Sequence, residues 1–246
     1  MSDRFSGMLL RRADDALVLG HRLSEWTGHA PSLEEELALA NLALDLIGQA
    51  RALYALAAEK GAGEDEDALA YLRSDREYTN LLLLELPNGD FAVTIARLFL
   101  YAAFMDNFWR AASASRDRDL AAIAAKAEKE AAYHLRHAAE WLIRLGDGTE
   151  ESHRRAQAAL ERLWPYTGEM FEPEDEVLVA ADITPEPAGL REAWNRTVDA
   201  VLAEATLSRP AEGWMQSGGR AGRHTEHLGH MLAVMQSVAR AHPGAK

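Results

Sequence analysis

The sequence contains no cysteine. That absence excludes disulfide frameworks, thiolate zinc sites, iron–sulfur clusters carried on this chain and cysteine nucleophiles. Basic side chains are in deficit: 26 Lys and Arg stand against 39 Asp and Glu in 246 residues, a formal charge of −13. Non-specific binding to nucleic acid or to an anionic membrane surface needs a basic footprint, so neither is expected. No uncharged apolar run reaches the roughly 18 residues of a membrane span. The start of the chain, Met1 to Gly7, lacks the basic-then-apolar pattern of a signal peptide. A soluble cytoplasmic protein is the expectation. Proline is absent between Pro87 and Pro165, while five of the eight (Pro165, Pro173, Pro185, Pro187, Pro210) crowd a later stretch. Long helices are therefore permitted in the first two-thirds of the chain and interrupted afterwards.

What is present is Ala, Leu, Glu and Arg in helical spacing. Hydrophobic residues make up 48% of the chain, enough for a sizeable core. Alternating strand patterns are hard to find, so the class is all-α. The spacing predicts helices over 14–27 and 32–60, the second opened by the Ser32/Glu35 capping-box pair and stopped by Gly61 and Gly63. At 1.5 Å per residue the latter is roughly 40 Å long. Leu33, Leu37, Ala40, Leu44, Ile47 and Tyr54 form one apolar row on it, and Leu39, Leu42, Leu46 and Leu53 another. Such a helix is central to a bundle or covered by a partner.

Further on, a short acidic helix (64–72) and the Leu81–Leu84 run precede a helix over 90–115 with Asp90 as N-cap. Helices over 119–145, capped by Asp117 or Asp119, and 149–167 follow. An acidic connection over 172–187, a helix over 190–207, a glycine-rich loop and a last helix ending near Ala241 complete the chain. Long helices with short turns predict a four-helix bundle in one domain over 1–246. Its core would lie at about 32–168, with an extra N-terminal helix and a C-terminal helical extension at about 188–241.

A bundle of this size can be tested for a di-iron site, which needs mid-helix carboxylates and Glu-x-x-His pairs whose i and i+3 side chains project together. The mid-helix candidates are Asp45, Glu130, His134, Glu161 and Asp106. Their spacing fails the test. Trp109 stands three residues after Asp106, Trp164 three after Glu161, and Tyr133 three after Glu130. The literal Glu150/His153 pair lies in a first turn, about 15 Å of rise from mid-helix. Asp45, Glu130, His134 and Glu161 read instead as a vestigial site. Asn41, Asp45 and Gln49 share a helix face and are expected to join a buried polar network, with Arg51, Arg97, His134 and Lys126 as candidate partners. His224, His227 and His230 span too wide an arc for one ion. The six tryptophans, scattered along the chain, are expected as core or interface anchors. No nucleophile–base motif such as Gly-x-Ser-x-Gly occurs.

Several runs resemble a known family. Residues 19–31 (LGHRLSEWTGHAP), 39–51 (LANLALDLIGQAR), 80–84 (NLLLL), 87–89 (PNG), 129–136 (KEAAYHLR) and 222–229 (GRHTEHLG) are similar to the non-catalytic, PaaC-type subunits of bacterial phenylacetyl-CoA 1,2-epoxidase. The resemblance covers nearly the whole chain. It implies a ferritin-like subunit of a multicomponent mono-oxygenase in phenylacetate catabolism, with no catalytic residue and no cofactor of its own. The implied partners are a separate catalytic subunit holding the di-iron centre, the other subunits of the complex, and a reductase carrying FAD and an iron–sulfur cluster. Self-pairing into a homodimer is a further expectation, because an exposed apolar helix face tends to be covered.

The run over 217–225 is the most basic short stretch in this acidic chain. Its glycines and following helix N-terminus suit an anion, and Arg220, Arg223 and His224 are the candidates for contact with CoA phosphates or with the catalytic subunit. Two other readings stay open: an autonomous di-iron oxidase or iron-storage protein using Asp45, Glu130, His134 and Glu161, and an unrelated all-α scaffold.

Overall fold

The computed structural model describes residues 2–242. Among the described residues every regular element is helical. In chain order the α-helices are α1 (Ser2–Ser24), α2 (Leu33–Glu59), α3 (Glu66–Tyr71), α4 (Leu82–Glu85), α5 (Phe91–Ala112), α6 (Arg118–Gly146), α7 (Glu150–Leu163), α8 (Glu176–Ala180), α9 (Arg191–Glu204), α10 (Glu226–Met235) and α11 (Ser237–Ala241). They fall into two compact units. One comprises residues 1–87 with 217–246, the other residues 88–216.

In the first unit α1 packs along α2, and α3 and α4 flank this pair. The predicted cap of α2 is in place: Ser32 Oγ accepts from the Glu35 backbone N–H at 3.4 Å. α1 starts at Ser2 rather than at Asp14, because Phe5, Met8 and Leu9 continue its buried face. The two apolar rows of α2 part company. Leu39, Leu42, Leu46 and Leu53 are buried, whereas in the other row Leu33, Leu37 and Leu44 are exposed by 69%, 59% and 66% and only its far end, at Tyr54, is buried.

The second unit is built on α5, which packs against α6, α7 and α9. Asp90 caps α5 by accepting from the Val93 N–H at 3.0 Å. Asp117 caps α6, accepting from Asp119 and Leu120. Thr149 caps α7, accepting from Ser152. α5 is long and apolar enough to cross a bilayer by length and composition, yet nearly all of it is buried. Its rings join an aromatic cluster: Phe104 meets Phe171 edge-on at 5.5 Å, and Phe171 meets Trp194 at 5.3 Å. The Trp194 indole N–H donates to the Leu100 carbonyl at 2.9 Å.

Three further boundaries differ from the sequence pattern. α7 ends at Leu163 rather than near Thr167, since Pro165 follows and the chain continues in short 3-10 turns. α9 stops at Glu204, where Thr206 adopts a left-handed φ of 57°. The last predicted helix is broken at Gln236 into α10 and α11.

Candidate functional site

The most concentrated polar chemistry lies in the first unit. It begins with two consecutive acids, Asp14 and Asp15, on the otherwise apolar α1; both are fully buried. A buried carboxylate must be hydrogen-bonded or paired, and each of these has its own set of donors. Asp14 accepts from the Tyr54 hydroxyl of α2 at 2.5 Å, from the Thr79 backbone N–H at 2.8 Å and from the Thr79 hydroxyl at 3.0 Å. The Arg73 guanidinium completes its shell. Asp15 accepts from the Leu81 N–H at 2.8 Å and from Arg12 at 3.4 Å. Arg220 grips it with both terminal nitrogens, at 2.9 and 2.7 Å, and also donates to the Thr79 carbonyl at 2.8 Å.

A third buried acid, Glu85 at the end of α4, ties down the same C-terminal stretch. It accepts from the Thr225 backbone N–H at 2.6 Å, from the Asn80 amide at 2.9 Å and from His224 Nδ1 at 2.7 Å. The other His224 nitrogen lies 2.8 Å from the Tyr78 carbonyl. Arg22 of α1 donates to the Glu85 carbonyl at 2.6 Å and to Glu25 at 2.7 Å. Gly222 makes this docking possible. It takes a left-handed φ of 68°, and a Cβ there would sit 2.3 Å from the Arg76 carbonyl oxygen, so only glycine fits.

These surroundings shift several groups. Burial pushes the Tyr54 hydroxyl well above its ordinary range, and the Asp14 charge adds to this. Burial likewise raises Tyr78. For His224 burial acts downward, but the hydrogen bonds to Glu85 and to the Tyr78 carbonyl outweigh it, and the net direction is up. His21 is lowered by burial. It lines a groove of about 450 Å³ with Arg22, Glu25, His227, His230 and Met231.

The residues singled out in the sequence are distributed differently from expectation. Arg220 and His224 are not free to meet a phosphate or another chain: their side chains are 11% and 3% exposed and are bound to Asp15 and Glu85. Arg223 is exposed. Glu161 is exposed and accepts from Gln157 at 3.1 Å. Glu130 pairs with Lys126 at 3.4 Å, and His134 is buried. Asp45 is half-buried on α2.

Of the residues expected to share a polar network on α2, Gln49 is buried and Asp45 half-buried. Asn41 is exposed, Arg51 pairs with Glu66 at 3.4 Å, and Arg97 donates to Asn88. Among the described residues no three His, Asp or Glu side chains converge as a metal-binding group. The shells of Asp14, Asp15 and Glu85 do not follow from the spacing considered above. The signal that points to Asp14 and Asp15 is their position between Ala13 and Ala16-Leu17-Val18, where helical periodicity calls for apolar side chains.

With two long helices paired through buried carboxylates in one unit, and an apolar helix surrounded by three others in the second, the fold is all-α and of the ferritin-like class. More closely, residues 2–246 match the family described as phenylacetic acid catabolic protein, and the chain belongs to it. A relative from Escherichia coli (strain K12), one of the subunits of 1,2-phenylacetyl-CoA epoxidase, is 49% identical over 245 residues, covering 98% of each chain.

Proposed function

We propose that this chain is a non-catalytic subunit of a phenylacetyl-CoA 1,2-epoxidase, a multicomponent mono-oxygenase of phenylacetate catabolism, and that it acts in the cytoplasm. The observation that carries this reading is the 49% identity over almost the full length of the E. coli epoxidase subunit. A match of that extent supports the same role within the complex. Support for a structural part comes from the side chains themselves. Trp109 and Trp164 occupy positions that ligand pairs would need, and the best-buried acids, Asp14, Asp15 and Glu85, are saturated by Tyr, Arg, His and backbone donors.

In this reading the di-iron centre belongs to a catalytic partner subunit, and FAD and an iron–sulfur cluster belong to the reductase. The centre supplies oxygen activation on the partner. This chain's contribution is a rigid surface on which the other subunits assemble. The test is reconstitution: the catalytic subunit and reductase are assayed for phenylacetyl-CoA epoxidation with and without this chain. Activity that requires the chain, together with co-purification of the catalytic subunit, is the expected result. Full activity without it, or failure to associate, would overturn the reading.

A further inference from the structure

Residues 208–216, in the second unit, have no regular secondary structure, yet they are fastened at both ends. Ser208 exchanges two hydrogen bonds with the Gln157 side chain of α7, donating at 2.9 Å and accepting at 3.1 Å. Gln216 donates its backbone N–H to the Pro165 carbonyl at 2.7 Å. Met215 lies so close to Gly168 that a Cβ there would come within 2.9 Å of it. Arg209 stacks over the Trp164 ring at 4.8 Å and is bound by Asn195 at 2.8 Å and Asp199 at 2.7 Å. A segment held this way is pre-organised.

In the middle of that segment Trp214 is 74% exposed, whereas Trp109, Trp164 and Trp194 are exposed by 2% or less. Beside it lies a groove of about 490 Å³ walled by Gln157, Glu161, Trp164, Pro165 and Pro210. A large indole displayed on a fixed loop next to an apolar groove has the form of a binding hot spot, in which aromatic anchors insert into a partner's pocket. The charges around it select the partner. Glu161, Asp199 and Glu212 are exposed here, and Arg209, which lines the groove, pairs with both Asp199 and Glu212. The rim is therefore acidic. A second copy of this chain would set acid against acid.

We infer that this face docks the catalytic subunit of the same oxygenase, which offers an apolar socket for Trp214 surrounded by Lys and Arg. The inference rests on the subunit role proposed above and names the surface through which that role is exercised. The aromatic ring supplies the buried contact, and the acidic rim orients the encounter and opposes self-pairing through this face.

The experiment measures binding of the purified catalytic oxygenase subunit to the full chain by titration calorimetry, at low salt and at roughly 0.5 M salt, where surface charge is screened. Wild type is compared with Trp214→Ala and with Glu161→Lys/Glu212→Lys, and unchanged helical circular dichroism checks the fold of each. Trp214→Ala is expected to weaken binding at least tenfold at both salt concentrations. The double charge reversal is expected to weaken it mainly at low salt. Wild-type binding with both variants within twofold would overturn the inference while leaving the subunit role intact. Absence of wild-type binding would overturn both. Loss of a homodimer in Trp214→Ala, with unchanged binding of the catalytic subunit, would assign the face to a second copy and also overturn it.

Discussion

Both ring nitrogens of His224 meet groups that accept hydrogen bonds, the Glu85 carboxylate at 2.7 Å and the Tyr78 carbonyl at 2.8 Å. Only an imidazolium donates from both positions. Its basicity is raised in the folded chain above the ordinary value of 6.5. The stabilisation it contributes is therefore complete below pH 6.5 and is lost as the pH rises through the elevated folded value. Urea unfolding between pH 6 and 9 should show the wild type losing stability relative to His224→Gln as the pH increases; parallel curves would contradict this assignment. Asp15 allows a larger effect. Asp15→Ala would leave Arg12 and Arg220, both nearly buried, without their carboxylate. Removing one partner of a buried ion pair costs about 3–5 kcal/mol, measurable as a fall in the urea midpoint. A conservative Asp15→Asn change keeps the shape and loses less.

α2 shows how one helix can serve two environments. Its buried row, Leu39, Leu42, Leu46 and Leu53, belongs to the core, and in the other row Leu33, Leu37 and Leu44 face outward while Tyr54 is buried. Helical periodicity reveals both rows but gives no means of telling which is covered, because exposure depends on neighbours distant in sequence. Substitution of Leu37 and Leu44 by Ser is expected to change unfolding stability by less than about 0.5 kcal/mol each, as for surface positions generally. Denaturant titration of the double variant checks this, and light scattering should show reduced self-association. Helix starts with a capping side chain were more legible: Ser32 and Asp90 cap where the sequence pattern puts them, and of Asp117 and Asp119 it is Asp117 that caps α6, since a cap is a contact between residues three positions apart. The break at Gln236 was not legible, because its side-chain amide donates to the carbonyls of Ala70 and Arg73, far away along the chain.

At the level of the assembled protein, the distribution of acids predicts the behaviour toward iron. Asp45 is half-buried, Glu130 is paired with Lys126, and Glu161 is exposed. The purified chain is expected to retain well under one iron per polypeptide after incubation with ferrous salt under oxygen. Elemental analysis giving two irons per chain would instead favour an autonomous oxidase.

The residue order alone fixed the helical class, the caps and the family resemblance. Helix formation and capping are governed by neighbours within about four positions, and a resemblance is a property of the order itself. Only tertiary structure decided the fate of the basic run over 217–225. Its charges could be read from the sequence, but the acids that would receive them could not. Asp15 stands 205 positions before Arg220, and Glu85 stands 139 before His224. The fold brings those carboxylates into a water-poor interior, where an unpaired charge is too costly to leave. The guanidinium and imidazole that looked available to a phosphate therefore turn inward, and Trp214, one of six scattered rings in the sequence, is left outside.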